Sequence, residues 1–172
     1  MTEQEIRKGL NGVVADYTAV SKVNPETNSL LYRGYPVQEL AEHCTFEEVA
    51  YLLWNGELPN EEQMAEFRGG CMANRDISEE LIQVINFMPR DCHPMDVLRT
   101  AVSFLGTQDE YKFTPDADHL RSIGRQLLAK LPTIVATDIR RRNGQEYIAP
   151  SKDKGFSCLL YTSDAADDMQ CV

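Results

Sequence analysis

Thr45-Phe46-Glu47-Glu48-Val49-Ala50-Tyr51-Leu52-Leu53-Trp54-Asn55-Gly56-Glu57-Leu58-Pro59 contains the start, body and stop of one helix. Thr45 stands three residues before Glu48, the spacing of a capping box. Its hydroxyl can accept from a free first-turn amide while the Glu48 carboxylate reaches back to the amide of Thr45. Phe46, Val49, Ala50 and Leu53 recur at i, i+3, i+4 and i+7, which predicts one apolar face. Gly56 stops the helix and Pro59 reinforces the break. If this pattern recurs, the protein is built from short capped helices.

It recurs toward the carboxyl end. Asn60-Glu61-Glu62-Gln63 repeats the capping spacing, and Met64, Phe67 and Cys71 line one side of the next helix. Gly69 and Gly70 weaken its end, each by about 1 kcal/mol against alanine. Ser78 caps another helix, with Glu79 and Glu80 in the first turn where the helix dipole favours anions. Its predicted buried side is Leu81, Val84, Ile85 and Met88. His93-Pro94 opens a further helix with proline at the tolerated first position. Met95, Leu98, Ala101, Val102 and Leu105 form its stripe, and Gly106 ends it. Thr114-Pro115-Asp116 begins the longest helix, with a stripe of Leu120, Ile123, Leu127 and Leu131. Pro132 lacks the amide that the previous turn needs and predicts a kink. The apolar pattern resumes at Ile134 and Val135, and Asn143-Gly144 terminates the helix after Arg140, Arg141 and Arg142.

Toward the amino end the signals are extended. Val13 and Val14 start a short run, and residues 19–23 and 29–32 flank the turn-rich Asn24-Pro25-Glu26-Thr27-Asn28, which predicts a hairpin. Gly34 and Pro36 close this part, and residues 37–44 make a short helix. Three short strands are not stable alone and must lean on helices. The expected fold class is therefore all-α, mainly helical, with a small N-terminal β-hairpin. Residues 1–157 read as one unit without internal repeats. Residues 158–172 carry no cap and no stripe, and Cys158-Leu159-Leu160-Tyr161-Thr162-Ser163-Asp164-Ala165-Ala166-Asp167 resembles translated sequencing-adapter DNA. That tail is expected to be non-native.

Twenty-seven acidic residues against 17 basic ones give a net charge of −10, which argues against a nucleic-acid or anionic-membrane partner. No apolar run approaches the roughly 18 residues of a membrane span. Residues 1–8 lack the basic and apolar regions of a secretory signal. The five cysteines, Cys44, Cys71, Cys92, Cys158 and Cys171, have no tight spacing and read as reduced thiols of a cytoplasmic protein.

Five stretches together resemble the citrate synthase family. Gly9-Leu10-Asn11-Gly12-Val13-Val14-Ala15-Asp16 is similar to its opening strand, and Ser29-Leu30-Leu31-Tyr32-Arg33-Gly34-Tyr35-Pro36 to its YRGY segment. Tyr51-Leu52-Leu53-Trp54-Asn55-Gly56-Glu57-Leu58-Pro59 resembles its GELP block, Cys92-His93-Pro94-Met95-Asp96 its HPMD helix start, and residues 127–142 its long kinked helix. Residues 17–26 and 138–142 look most like the actinobacterial 2-methylcitrate synthase branch. The resemblance covers residues 9–157 and implies the N-terminal part of the citrate synthase large domain.

That family condenses an acyl-CoA, here acetyl-CoA or propionyl-CoA, with oxaloacetate and hydrolyses the thioester, with no metal or redox cofactor implied. An aspartate and two histidines do the acid/base work, which needs tuned groups within hydrogen-bond reach. The family motifs that hold them, of the LHGG and GxGHR types and a C-terminal aspartate segment, are absent here. No catalytic, cofactor-binding or metal residue is therefore assigned to this chain. The helices at 94–105 and 116–143 resemble two that pack across the family's homodimer interface.

The remaining polar residues have plainer readings. Cys92-His93 and His43-Cys44 lack the C-x₂₋₄-C spacing of structural zinc. His93 reads as a helix-start acceptor, His43 as a helix end, and His119 as part of a solvated first turn. Asp116 and Asp118 suit the helix dipole. Residues 140–142 could grip a CoA phosphate, but a solvated, dipole-favoured helix end explains them better. Phe46, Trp54 and Phe67 fit core positions. Two function classes follow: an acyl-CoA condensing enzyme present here as a part, or a helical interaction module without catalytic groups.

Overall fold

A computed structural model describes residues 9, 12–14, 16–109 and 116–157. The expected tail at 158–172, the Thr114-Pro115 helix start and part of the expected opening strand lie outside them. The chain divides into two units, Met1–Leu58 and Pro59–Val172.

In the first unit, β1 (Ser21–Asn24), β2 (Ser29–Tyr32) and β3 (Tyr35–Pro36) form an antiparallel sheet in sequence order. Val23 faces Leu30 across the predicted hairpin, and the Asn24 side chain accepts from the Glu26 amide at 3.1 Å, which tightens the turn. The third strand is not the one expected. Val13 and Val14 lie outside any strand and are exposed, while Tyr35–Pro36 pairs with β2 instead. The loop between them explains why. Arg33 and Gly34 both have positive φ, +50° and +95°, the two-residue geometry whose twist matches a hairpin. A strand needs a partner, and the shortest loop supplies one.

Helix α1 (Val37–His43) lies against β2 and β3 and buries Leu40. Helix α2 (Phe46–Asn55) has the predicted capping box: the Thr45 hydroxyl accepts from the Glu48 amide at 3.3 Å, and the Glu48 carboxylate accepts from the Thr45 amide at 2.6 Å. Gly56 ends the helix at φ +93°, a left-handed conformation that disfavours any Cβ. Its phase differs from the predicted stripe. Leu52 and Glu47 are buried, whereas Phe46 and Trp54, expected in the core, are exposed.

The second unit is helical: α3 (Glu61–Ala73), α4 (Glu79–Phe87), α5 (Pro94–Thr107) and α6 (Ala117–Arg142). Asn60, Ser78 and His93 cap the first three as expected, and Asp116, expected inside the first turn after Pro115, is itself the cap of α6; each accepts from a first-turn amide. Met64, Phe67 and Cys71 are buried on α3 as predicted. Helix α6 contacts α3, α4 and α5 and organises the unit. Ile77, Leu81, Ile85, Val97, Ala101 and Ile134 form the core. Val97 takes the inward place on α5 while Met95 is exposed, one more shift of phase. Helix α6 runs as one element through the fully buried Pro132, in line with the single long helix expected. Packing on three neighbouring helices holds the turn that the missing amide weakens.

Candidate functional site

Two of the resembling motifs meet in the first unit. The Arg33 guanidinium donates through Nε and Nη2 to the Leu53 carbonyl at 3.1 and 2.7 Å. Leu53 lies in the last turn of α2, where carbonyls lack helical partners and the dipole favours a cation. The Tyr35 hydroxyl donates to the Glu57 carboxylate at 3.1 Å, and that bond is the main cause raising its phenol pKa. The Arg-Gly turn and the GELP block thus fasten the hairpin to α2. Their role in this chain is positional.

Of the three arginines at the end of α6 only Arg141 is buried; Arg140 and Arg142 stay partly exposed, yet all three are bound within the fold, which corrects the expectation of a simply solvated helix end. Asp138, 5% exposed, lies within 2.6 Å of Arg141 and 2.7 Å of Arg142. Arg141 is itself buried and donates to the Met88 carbonyl. Arg142 donates to the Arg90 carbonyl at 2.7 Å and approaches the Cys92 sulfur at 3.7 Å. The hydrogen bond to Asp138 is the leading cause that raises its pKa. Arg140 donates to the Glu146 carbonyl at 2.6 Å. These guanidiniums bind the α4–α5 connection and the chain after α6. The sequence signal was an aspartate at i−3 and i−4 to two arginines on one helix.

Arg75 was also missed. It is 3% exposed and donates to the Ser151 and Lys154 carbonyls at 2.9 and 2.7 Å. No local pattern announces a partner that far along the chain.

The histidines occupy separate roles. His93 accepts from the Met95 amide at 3.2 Å, as expected of a helix start. His43 is an exposed last residue of α1 beside Glu42. His119 corrects its expectation: it is not on a solvated turn, because its Nε2 lies 2.9 Å from the Asp109 carboxylate and both side chains are 22% exposed. Asp116 accepts from the His119 amide at 2.7 Å and so acts as the cap, one step before the first turn where it was expected, and Asp118 lies 3.4 Å from Arg121.

The His119–Asp109 pair borders a cleft of about 600 Å³ between the end of α5 and the first half of α6. Val102, Leu105, Ile123 and Leu127 supply its apolar walls, and Lys130 stands at its edge. Burial pushes the Lys130 ammonium below its ordinary pKa, partly countered by Asp76, and its Nζ donates to the Asp76 carbonyl at 2.6 Å. Among the described residues, no three His, Cys, Asp or Glu side chains gather as they would around a metal ion. No helix among them is long and apolar enough to cross a membrane.

The comparisons agree with this scaffold. The family model described as citrate synthase, C-terminal domain, matches residues 9–166. The chain is 58% identical to 2-methylcitrate synthase 1 of Corynebacterium glutamicum over 99% of its length and 47% of that protein. It is 53% identical to a citrate synthase of Mycolicibacterium smegmatis over 91% of its length and 42% of that protein. The crystal structure of citrate synthase from Thermotoga maritima superimposes on 92% of the chain with a TM-score of 0.82 at 32% identity, and the chain covers 41% of it. The chain therefore spans less than half the length of these relatives.

Proposed function

Because the chain belongs to the citrate synthase family, we propose that it is the amino-terminal part of an enzyme condensing an acyl-CoA with oxaloacetate. The observation that carries the reading is the family match over residues 9–166, with the YRGY and GELP segments bonded to each other through Arg33 and Tyr35. In this reading residues 1–157 are scaffold, and the aspartate and histidines that move protons lie on a part of the polypeptide outside this chain. His43, His93 and His119 take no part in the reaction, since an exposed helix end, a cap and a carboxylate-paired imidazole are their respective observed roles.

The substrate is acetyl-CoA or propionyl-CoA. Relatives bearing both names match at more than half identity, so the scaffold does not separate them. Residues 158–172 remain in this reading a non-native tail, although the family match runs on to residue 166. The intact enzyme is a cytoplasmic homodimer joined through α5 and α6.

The test has two arms. Free-thiol release from acetyl-CoA and propionyl-CoA, with oxaloacetate present, is expected to stay at background for the 172-residue chain. The same assay on the full reading frame recovered from the source DNA is expected to show turnover. Turnover by the short chain overturns the assignment of the acid/base groups elsewhere. A frame that lacks a family-type histidine motif beyond codon 157 overturns the enzyme reading and leaves a helical interaction module.

A further inference from the structure

Buried polar groups in folded proteins are almost always hydrogen-bonded, because an unpaired one keeps the full cost of leaving water. One turn of α6 departs from that rule at two consecutive residues. Thr133 is 4% exposed, and its buried hydroxyl has no partner among the described residues. A buried helical threonine can donate to the carbonyl four residues earlier. Thr137 does so, at 2.6 Å to the Thr133 carbonyl, yet Thr133 does not repeat the bond to Ala129. Pro132, also fully buried, has no amide to give the Leu128 carbonyl, its acceptor in an unbroken ladder. The turn therefore carries a hydroxyl without a partner beside a carbonyl deprived of its helical donor. Ala129 and Ala136, buried on the same stretch of helix, offer no side-chain polar atom to either.

We propose that the Pro132 turn of α6 is a binding site for one internal water, which accepts from the Thr133 hydroxyl and donates to the Leu128 carbonyl. Water enters a helical ladder where a regular bond is missing, and an internal water needs at least about two such bonds. The Thr133 hydroxyl is closed off from solvent within the single chain, so neither a larger solute nor a group from a second copy reaches it. This site needs only the chain's own helices and is independent of the enzyme reading. It also reverses the sign expected of one substitution. Thr133→Val keeps the side-chain shape and removes the hydroxyl. Deleting a hydroxyl that bonds to nothing relieves a buried polar group and raises the urea midpoint. Deleting one that holds the water leaves the Leu128 carbonyl without its donor and lowers the midpoint.

The experiment compares the 172-residue chain with its Thr133→Val, Thr133→Ser and Pro132→Ala variants. Oxygen-17 magnetic relaxation dispersion, whose amplitude counts long-lived internal waters, is the first readout, and the urea midpoint is the second. Thr133→Val is expected to lose the amplitude of a single water and to unfold at lower urea. Thr133→Ser retains the hydroxyl and is expected to keep the amplitude. Pro132→Ala gives the Leu128 carbonyl an amide again and is expected to lose the same water. Either Thr133→Val or Pro132→Ala is sufficient if the other does not fold. An amplitude that they leave unchanged overturns the proposal. So does a raised midpoint in Thr133→Val, the mark of a hydroxyl that held nothing.

Discussion

The two halves of α6 share one helix and one apolar repeat, yet they live in different surroundings. From Ala129 to Arg141 the helix buries Ala129, Pro132, Thr133, Ile134, Ala136, Thr137, Asp138 and Arg141. Before Ala129 it buries none, and Leu120 is 55% exposed. The predicted stripe of Leu120, Ile123, Leu127 and Leu131 would have ranked the first half as core. The helix's actual inner face includes a proline, two threonines and an ion pair. Which face is buried is decided by neighbours, here α3, α4 and α5. Even the buried half is imperfectly satisfied: the Thr137 hydroxyl donates to the Thr133 carbonyl at 2.6 Å, while the Thr133 hydroxyl has no partner among the described residues.

The contrast can be broken by substitution, and the largest effect is expected at Asp138. Asp138→Ala leaves Arg141 buried without its carboxylate, which should cost about 3–5 kcal/mol of stability. Urea unfolding followed by circular dichroism reads it, and a loss under 1 kcal/mol would mean the guanidinium finds other acceptors. A middle effect is expected from one methylene at the core: Ile134→Val should cost about 0.5–1.5 kcal/mol, whereas Leu120→Ala in the other half should stay within about 0.5 kcal/mol. Equal losses at the two positions would erase the difference between the halves.

The smallest expected effect is a pH dependence beside the core. Burial raises the Tyr147 phenol above its ordinary pKa, with Asp76 adding to it. The folded state then holds its proton longer than the unfolded chain. The stabilisation is complete below about pH 10 and fades as pH rises through the folded value. Tyr147→Phe should therefore lose less of its urea midpoint between about pH 8 and about pH 11 than the unsubstituted chain. A parallel loss in both would remove Tyr147 as a contributor.

What was legible in the sequence divides along the same line. The caps at Thr45, Asn60, Ser78 and His93 were legible because a cap is settled within four residues of itself, whereas Asp116 was read as a first-turn residue and is the cap. The hairpin turn and the glycine stop at residue 56 were legible for the same reason. The phases of α2 and α5 were not, since Leu52 and Val97 gain their burial from segments that periodicity does not identify. The third strand was misplaced because pairing of Tyr35–Pro36 depends on the left-handed Arg33-Gly34 loop. Around the ion cluster, Arg140, Arg141 and Arg142 read as solvent-facing by charge alone. Their acceptors at Met88, Arg90 and Glu146 are backbone carbonyls, which carry no side-chain signature. The cleft with His119 and Asp109 was invisible because its two sides come from different helices.

The grip of Arg75 on the carbonyls of Ser151 and Lys154 has a consequence for synthesis. A ribosome delivers those acceptors 76 and 79 residues after the guanidinium that needs them. Until they emerge, the corner between α3 and α4 must keep that cation hydrated or leave it without acceptors, so the second unit closes late in translation. A message cut before Ser151 would yield helices with their caps in place and a buried positive charge with nothing to hold.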